Sequence, residues 1–170
     1  MLALGIARVL GGVADIARVW RKLESKWFFL GWLTLLLIQL IGWWFGLWAR
    51  FGAMTEIGLL AFFGWFMVPA SLYVASRLLI PEFPDGAPPN LEERFLEVRG
   101  PFFACLILSI VPALPTLPGA FAPQWLLALY GSLALVGVFV SERRWQIGLL
   151  CSMLATLLTF LLLARSTLGA

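Results

Sequence analysis

Residues 27–49 leave a folding chain little choice. A Leu/Ile run is bracketed by Trp27, Phe28, Phe29 and Trp32 on one side and by Trp43, Trp44, Phe45 and Trp48 on the other. At the helical rise, Trp27 to Trp48 covers about 30 Å, which is the thickness of a bilayer's hydrocarbon core with aromatic residues at both interfaces. The rest of the chain is of the same kind. Hydrophobic residues make up 62% of it and charged residues 12%, against about a quarter charged in soluble domains. The pattern predicts an all-α fold, a polytopic transmembrane helical bundle forming one membrane domain over residues 1–170.

Six spans are expected, at about 2–20, 27–49, 57–80, 102–121, 123–141 and 146–165, with an aqueous connection over 81–100. The first is interrupted by Arg8, Asp15 and Arg18. On a helix, Arg8, Gly11, Asp15 and Arg18 share one face, and Leu2, Val9, Val13, Ile16 and Trp20 the other. Either this helix lies in the interface, leaving five crossings, or it spans with its charged face turned into the bundle. Small residues on the polar face favour the span. Asp15 is expected to pair with Arg18, three residues on, because a lone intramembrane carboxylate is costly.

In the second span Gly42 and Gly46 form a GxxxG, and Gln39, one turn earlier, shares their face. This predicts a helix-packing surface with a polar clasp. Arg8, Asp15, Arg18 and Gln39 are therefore the candidate intramembrane polar site. Pro69 should kink the third span, with Ser71 and Ser76 close enough to satisfy freed carbonyls. The last two spans form a hairpin closed by residues 141–144. Its small residues (Ala128, Gly131, Ser132 and Gly137 on one helix; Gly148, Ser152, Ala155, Thr156 and Thr159 on the other) are expected to allow close packing, Ser152 and Thr156 among them.

The polar stretch 77–101 holds five of the nine acidic residues and five of the ten prolines. Pro84-Asp85-Gly86 signals a turn, and Asn90 with Glu93 reads as the start of a short helix to about Arg99. Leu91, Phe95 and Val98 form its apolar stripe, opposed by Glu92, Glu93 and Glu97. This amphipathic helix is expected on the membrane surface or against the bundle, with Glu92, Glu93, Phe95 and Glu97 as a candidate partner surface. Pro101 should lie just outside the fourth span, and Pro112, Pro115 and Pro118 should kink or unwind its second half.

Counting loops alternately, one side of the membrane receives Arg18, Arg21, Lys22, Lys26, Arg77, Arg94, Arg99, Arg143 and Arg144, and the other Arg50 and Arg165. The bias predicts a cytoplasmic 81–100 loop. The run RLLIPEFPDG, then LEERFLEVRGPFF and a new span, together with the LGIARVLGGVADIARVWRK start and the Trp-rich second span, resembles a group of small bacterial multi-spanning inner-membrane proteins with no assigned activity. That resemblance implies a bacterial inner-membrane location and no particular chemistry.

The sequence has no histidine, which removes His-ligated haem, zinc and iron sites and Ser-His hydrolysis. Neither a P-loop nor a GxSxG motif occurs. Cys105 and Cys151 lie in apolar segments without CxxC spacing. No cofactor, metal or nucleic acid is expected. The partners expected are the lipid bilayer and either another membrane protein or further copies of the chain. The reading that follows is a non-enzymatic accessory or structural subunit. A small-solute transporter using the 112–118 segment, Pro69 and the intramembrane polar residues is the alternative.

Overall fold

The computed structural model of the chain describes residues 1–18, 26–51, 58–80, 90–111 and 124–168. Among the described residues every regular element is a helix: α1 Leu2–Arg18, α2 Lys26–Phe51, α3 Leu59–Leu79, α4 Leu91–Leu108, α5 Gln124–Phe139 and α6 Arg143–Leu168. Three stretches, Lys26–Gly46 in α2, Phe62–Leu79 in α3 and Arg143–Leu163 in α6, are long and apolar enough to cross a membrane, and α5 is a shorter apolar helix. The expected turn at 84–86 and the prolines at 112, 115 and 118 lie outside the described residues.

The most extensive helix contacts are those of α4 with α3 and α5, while α2 packs against α1, α3, α4 and α6. An apolar surface all round the helix, rather than a single stripe, is what such a position requires. Phe29, Trp32, Leu33, Leu35, Leu36 and Leu40 are all fully buried. Successive helices alternate in direction. Gly31 of α2 abuts Leu150 of α6, and Gly42 abuts Leu161, so these two helices run parallel. Phe28 against Phe95 and Gln39 against Ser109 make α2 and α4 parallel too. Trp43 near the end of α2 meets Trp65 near the start of α3, ring centroids 6.3 Å apart. One end of the bundle thus gathers the C-termini of α1, α3 and α5 and the N-termini of α2, α4 and α6. Asp15, Arg18, Arg77, Glu92 to Arg99 and Glu142 to Arg144 belong to this charged end.

The main departure from expectation is α4. Asn90 caps it as expected, its side-chain oxygen accepting from the backbone N–H of Glu92 at 3.2 Å and of Glu93 at 3.4 Å. The helix then continues through Pro101 to Leu108. The short connector helix and the start of the fourth span are one element, embedded in the bundle. The cause is a stripe that never breaks step: Leu91, Phe95, Val98, Phe102, Cys105 and Leu106 are all buried. Pro101 faces outward. The donor it lacks would serve the carbonyl of Glu97, another exposed residue, so the loss falls on the outer face. Ser109 ends the helix, and two turn bonds to the Ile107 carbonyl close it, from Ile110 at 2.9 Å and Val111 at 3.2 Å.

Helix α1 is amphipathic in the expected phase but the opposite orientation. Leu2, Gly5, Val9, Gly12 and Ile16 face the bundle, and the Asp15–Arg18 pair, 3.3 Å apart, lies on the outer face. The charged face is therefore not turned inward. The apolar stripe with its glycines fits the neighbours better: a Cβ on Gly12 would meet Ile80 Cγ1 at 2.8 Å.

The small-residue surfaces also differ from expectation. Gly46 is exposed with open space around it, and only Gly42 of the GxxxG pair is near another helix. In the α5–α6 hairpin, Thr156 is buried and Gly137 sits against Phe103, whereas Ala128, Ser132, Gly148, Ser152, Ala155 and Thr159 face outward. In α3, which contains Pro69, Ser71 and Ser76 donate to the Val68 and Tyr73 carbonyls at 2.9 and 2.7 Å. These are the carbonyls three residues back along the helix.

Candidate functional site

Gln39 is buried, and the structure gives it two partners from distant parts of the chain. Its Nε2 donates to Ser109 Oγ at 2.9 Å, and its Oε1 accepts from the Tyr130 hydroxyl at 2.8 Å. Ser109 Oγ in turn donates to the Leu106 carbonyl at 2.6 Å. All three side chains are buried. The chain of donors runs one way, from Tyr130 through Gln39 and Ser109 to the backbone of α4, so the orientation of the amide is fixed. It ties α2, the end of α4 and α5 together at a single depth. Inside a low-dielectric bundle such a satisfied network specifies how three helices meet.

Arg8, Asp15 and Arg18 do not join it. Asp15 and Arg18 pair with each other on the outer face of α1, and Arg8 is half-buried on the same helix. Gln39 alone of the candidate polar site is an interior residue.

A second polar assembly lies at the charged end. Glu92 of α4 pairs with Arg143 of α6 at 3.3 Å, and Arg94 with Glu97 at 3.2 Å. Arg99 donates to the Leu96 carbonyl at 3.2 Å and across to Val138 at 3.4 Å. Gln146 of α6 donates through Nε2 to the Val140 carbonyl at 2.6 Å and to that of Gly137 at 3.5 Å. The last carbonyls of α5, which no residue of its own helix can reach, are thus capped by side chains from both neighbouring helices. The positive charge of Arg99 also suits that helix end. Among the candidate partner residues, Glu93 and Glu97 are exposed, Glu92 is half-buried in its ion pair and Phe95 is fully buried. Phe95 is therefore not a contact residue. It stacks on Trp32 with centroids 5.0 Å apart and planes 17° from parallel, inside a cluster with Phe28, Phe102 and Phe103.

Ser109, Tyr130, Arg99 and Gln146 did not stand out in the sequence. The available signal is that Ser109 and Tyr130 are isolated polar residues within apolar runs and Tyr130 is one of only two tyrosines, whereas Arg99 and Gln146 lie beside other charged residues. Among the described residues, no three His, Cys, Asp or Glu side chains converge as metal ligands. No protein-family model, curated protein or solved structure matches the chain.

Proposed function

We propose that this protein is a non-enzymatic accessory or structural subunit of a bacterial inner membrane, which crosses the bilayer six times and offers its charged end to a partner on the cytoplasmic side. The observation that carries the reading is the outer stripe of α4. It is charged at Glu93, Arg94 and Glu97 and becomes apolar at Pro101, Ala104 and Leu108, all of them exposed. One rigid helix therefore presents a polar face to water and an apolar face to lipid. Its inner stripe is held by the aromatic cluster, so the polar face is held in place by the bundle.

Exposed Trp27 and Trp145 at the charged end and Trp44 and Trp125 at the other end support the crossing direction. Along α2, Trp27 and Trp44 are about 26 Å apart, close to a hydrocarbon thickness. The excess of basic residues at the charged end supports a cytoplasmic orientation. For α1, the glycine contacts with α2 and α3 support a crossing, with Asp15 and Arg18 at the charged end where headgroups can solvate them. A solute path has less support, since Gln39 spends its amide on Ser109 and Tyr130 and does not meet Asp15.

Purification of the tagged protein in mild detergent tests the proposal, alongside the double variant Glu93→Lys, Glu97→Lys. A partner recovered in fixed ratio with the native chain and lost from the variant is the expected result. Recovery of the chain alone, or of the same partner with both forms, would count against the surface.

A further inference from the structure

Among the described residues, two fully buried side chains carry a polar atom with no hydrogen-bond partner, the indole Nε1 of Trp32 and the Oε1 of Gln146. Both side chains are fully buried, at 0% exposure. One is a donor and the other an acceptor. Leaving each unsatisfied away from water carries the full desolvation penalty of the group. The Gln146 amide cannot be turned round to relieve its half of the problem, because its Nε2 already donates to the Val140 and Gly137 carbonyls.

The two residues belong to one junction of α2, α4, α5 and α6. The Trp32 ring meets Phe103 edge-on, centroids 5.2 Å apart. Phe103 lies against Gly137, whose carbonyl Gln146 reaches at 3.5 Å. On the other side, Gly31, next to Trp32, abuts Leu150, one turn beyond Gln146. Neighbours on both sides are thus shared. Neither residue has a role in the ion pairs of the charged end or in the Gln39 triad.

We infer that a single internal water molecule bridges Trp32 and Gln146, accepting from the indole N–H and donating to Oε1. A water supplies both functions at once and spans two hydrogen bonds of about 2.9 Å, a reach that no side chain in the aromatic cluster can supply with a polar atom. Buried waters of this kind satisfy groups that the chain's own geometry leaves over. The bridge makes the junction of four helices a hydrated point within an otherwise aromatic core.

The test uses the full-length protein in detergent micelles, with 15N in the tryptophan indoles and the Trp32 signal assigned by its loss in Trp32→Phe. Magnetisation transfer from water to the Trp32 indole proton is expected in the native chain and is lost in Gln146→Met. The other indole signals report whether that variant folds. If it does not, Gln146→Lys keeps a donor on the α5 carbonyls while removing the acceptor, and the same loss is expected. Absence of water contact at Trp32 in the native chain overturns the inference, as does a contact that persists in a folded Gln146 variant.

Discussion

Replacing Gln39 by Leu keeps its bulk but removes the acceptor of Tyr130 and the donor to Ser109. The Tyr130 hydroxyl is then left buried and unpaired, a cost of about 1–3 kcal/mol. Gln39→Leu should lower the unfolding temperature in detergent, and adding Tyr130→Phe should recover part of the loss by removing the stranded hydroxyl. Additive losses would show that the triad is not a unit. The glycines make a second comparison. A Cβ at Gly137 would run into the Phe103 ring, which Trp32, Phe95 and Phe102 hemmed in on other sides cannot release. Gly137→Ala should destabilise by about 1–3 kcal/mol, whereas Gly46→Ala, with open space around it, should gain up to about 1 kcal/mol from helix propensity. Thermal unfolding of the two variants side by side decides this. The sequence marks Gln39 because an amide in a Leu/Ile run is conspicuous. It cannot mark Gly137 over Gly46, since only the packing of neighbours distinguishes two glycines in apolar helices.

At the scale of elements, α4 shows where sequence reasoning stops. The Asn90 cap and the Leu91, Phe95, Val98 stripe are legible because both are local. The join at Pro101 is not, because proline is weighed as a helix boundary while the continuing stripe of Phe102, Cys105 and Leu106 belongs to tertiary packing. Two substitutions test this description. Asn90→Ala removes the bonds to the Glu92 and Glu93 amides and should cost about 1 kcal/mol. Pro101→Ala restores a backbone donor at an exposed position inside the helix, so it should raise thermal stability rather than lower it. A loss at Pro101→Ala would mean that α4 is two helices after all. The orientation of α1 was missed for a related reason: periodicity separates two faces but does not say which one a neighbour covers.

For the whole molecule, the all-helical fold and the approximate bounds of α1, α2, α3, α5 and α6 were readable, whereas α4 stands where a short helix and a separate span at 102–121 were expected. Helix α2 packs against four others, and a helix apolar all round gives no directional cue. Orientation is tested with Glu93→Cys in a chain whose Cys105 and Cys151 are replaced by Ala. The introduced thiol should resist a membrane-impermeant reagent in intact cells and react after lysis. A reporter at the N-terminus should be found outside. Labelling of Glu93→Cys in intact cells would invert the topology.

The position of α2 as second in the chain also sets an order in time. Gln39 finds Ser109 and Tyr130 only 70 and 91 residues later. At about 5–20 residues per second, the ribosome needs roughly 5–18 s to supply the Tyr130 partner after Gln39 is made. Until Ser109 is made the helix carries an amide with no native partner, and until Tyr130 is made its oxygen still lacks its native donor. A chain ending after residue 108 should therefore be cleared by membrane proteolysis faster than one ending after residue 139, as pulse-chase labelling would show, and equal lifetimes would mean that the early helices manage without their later partners.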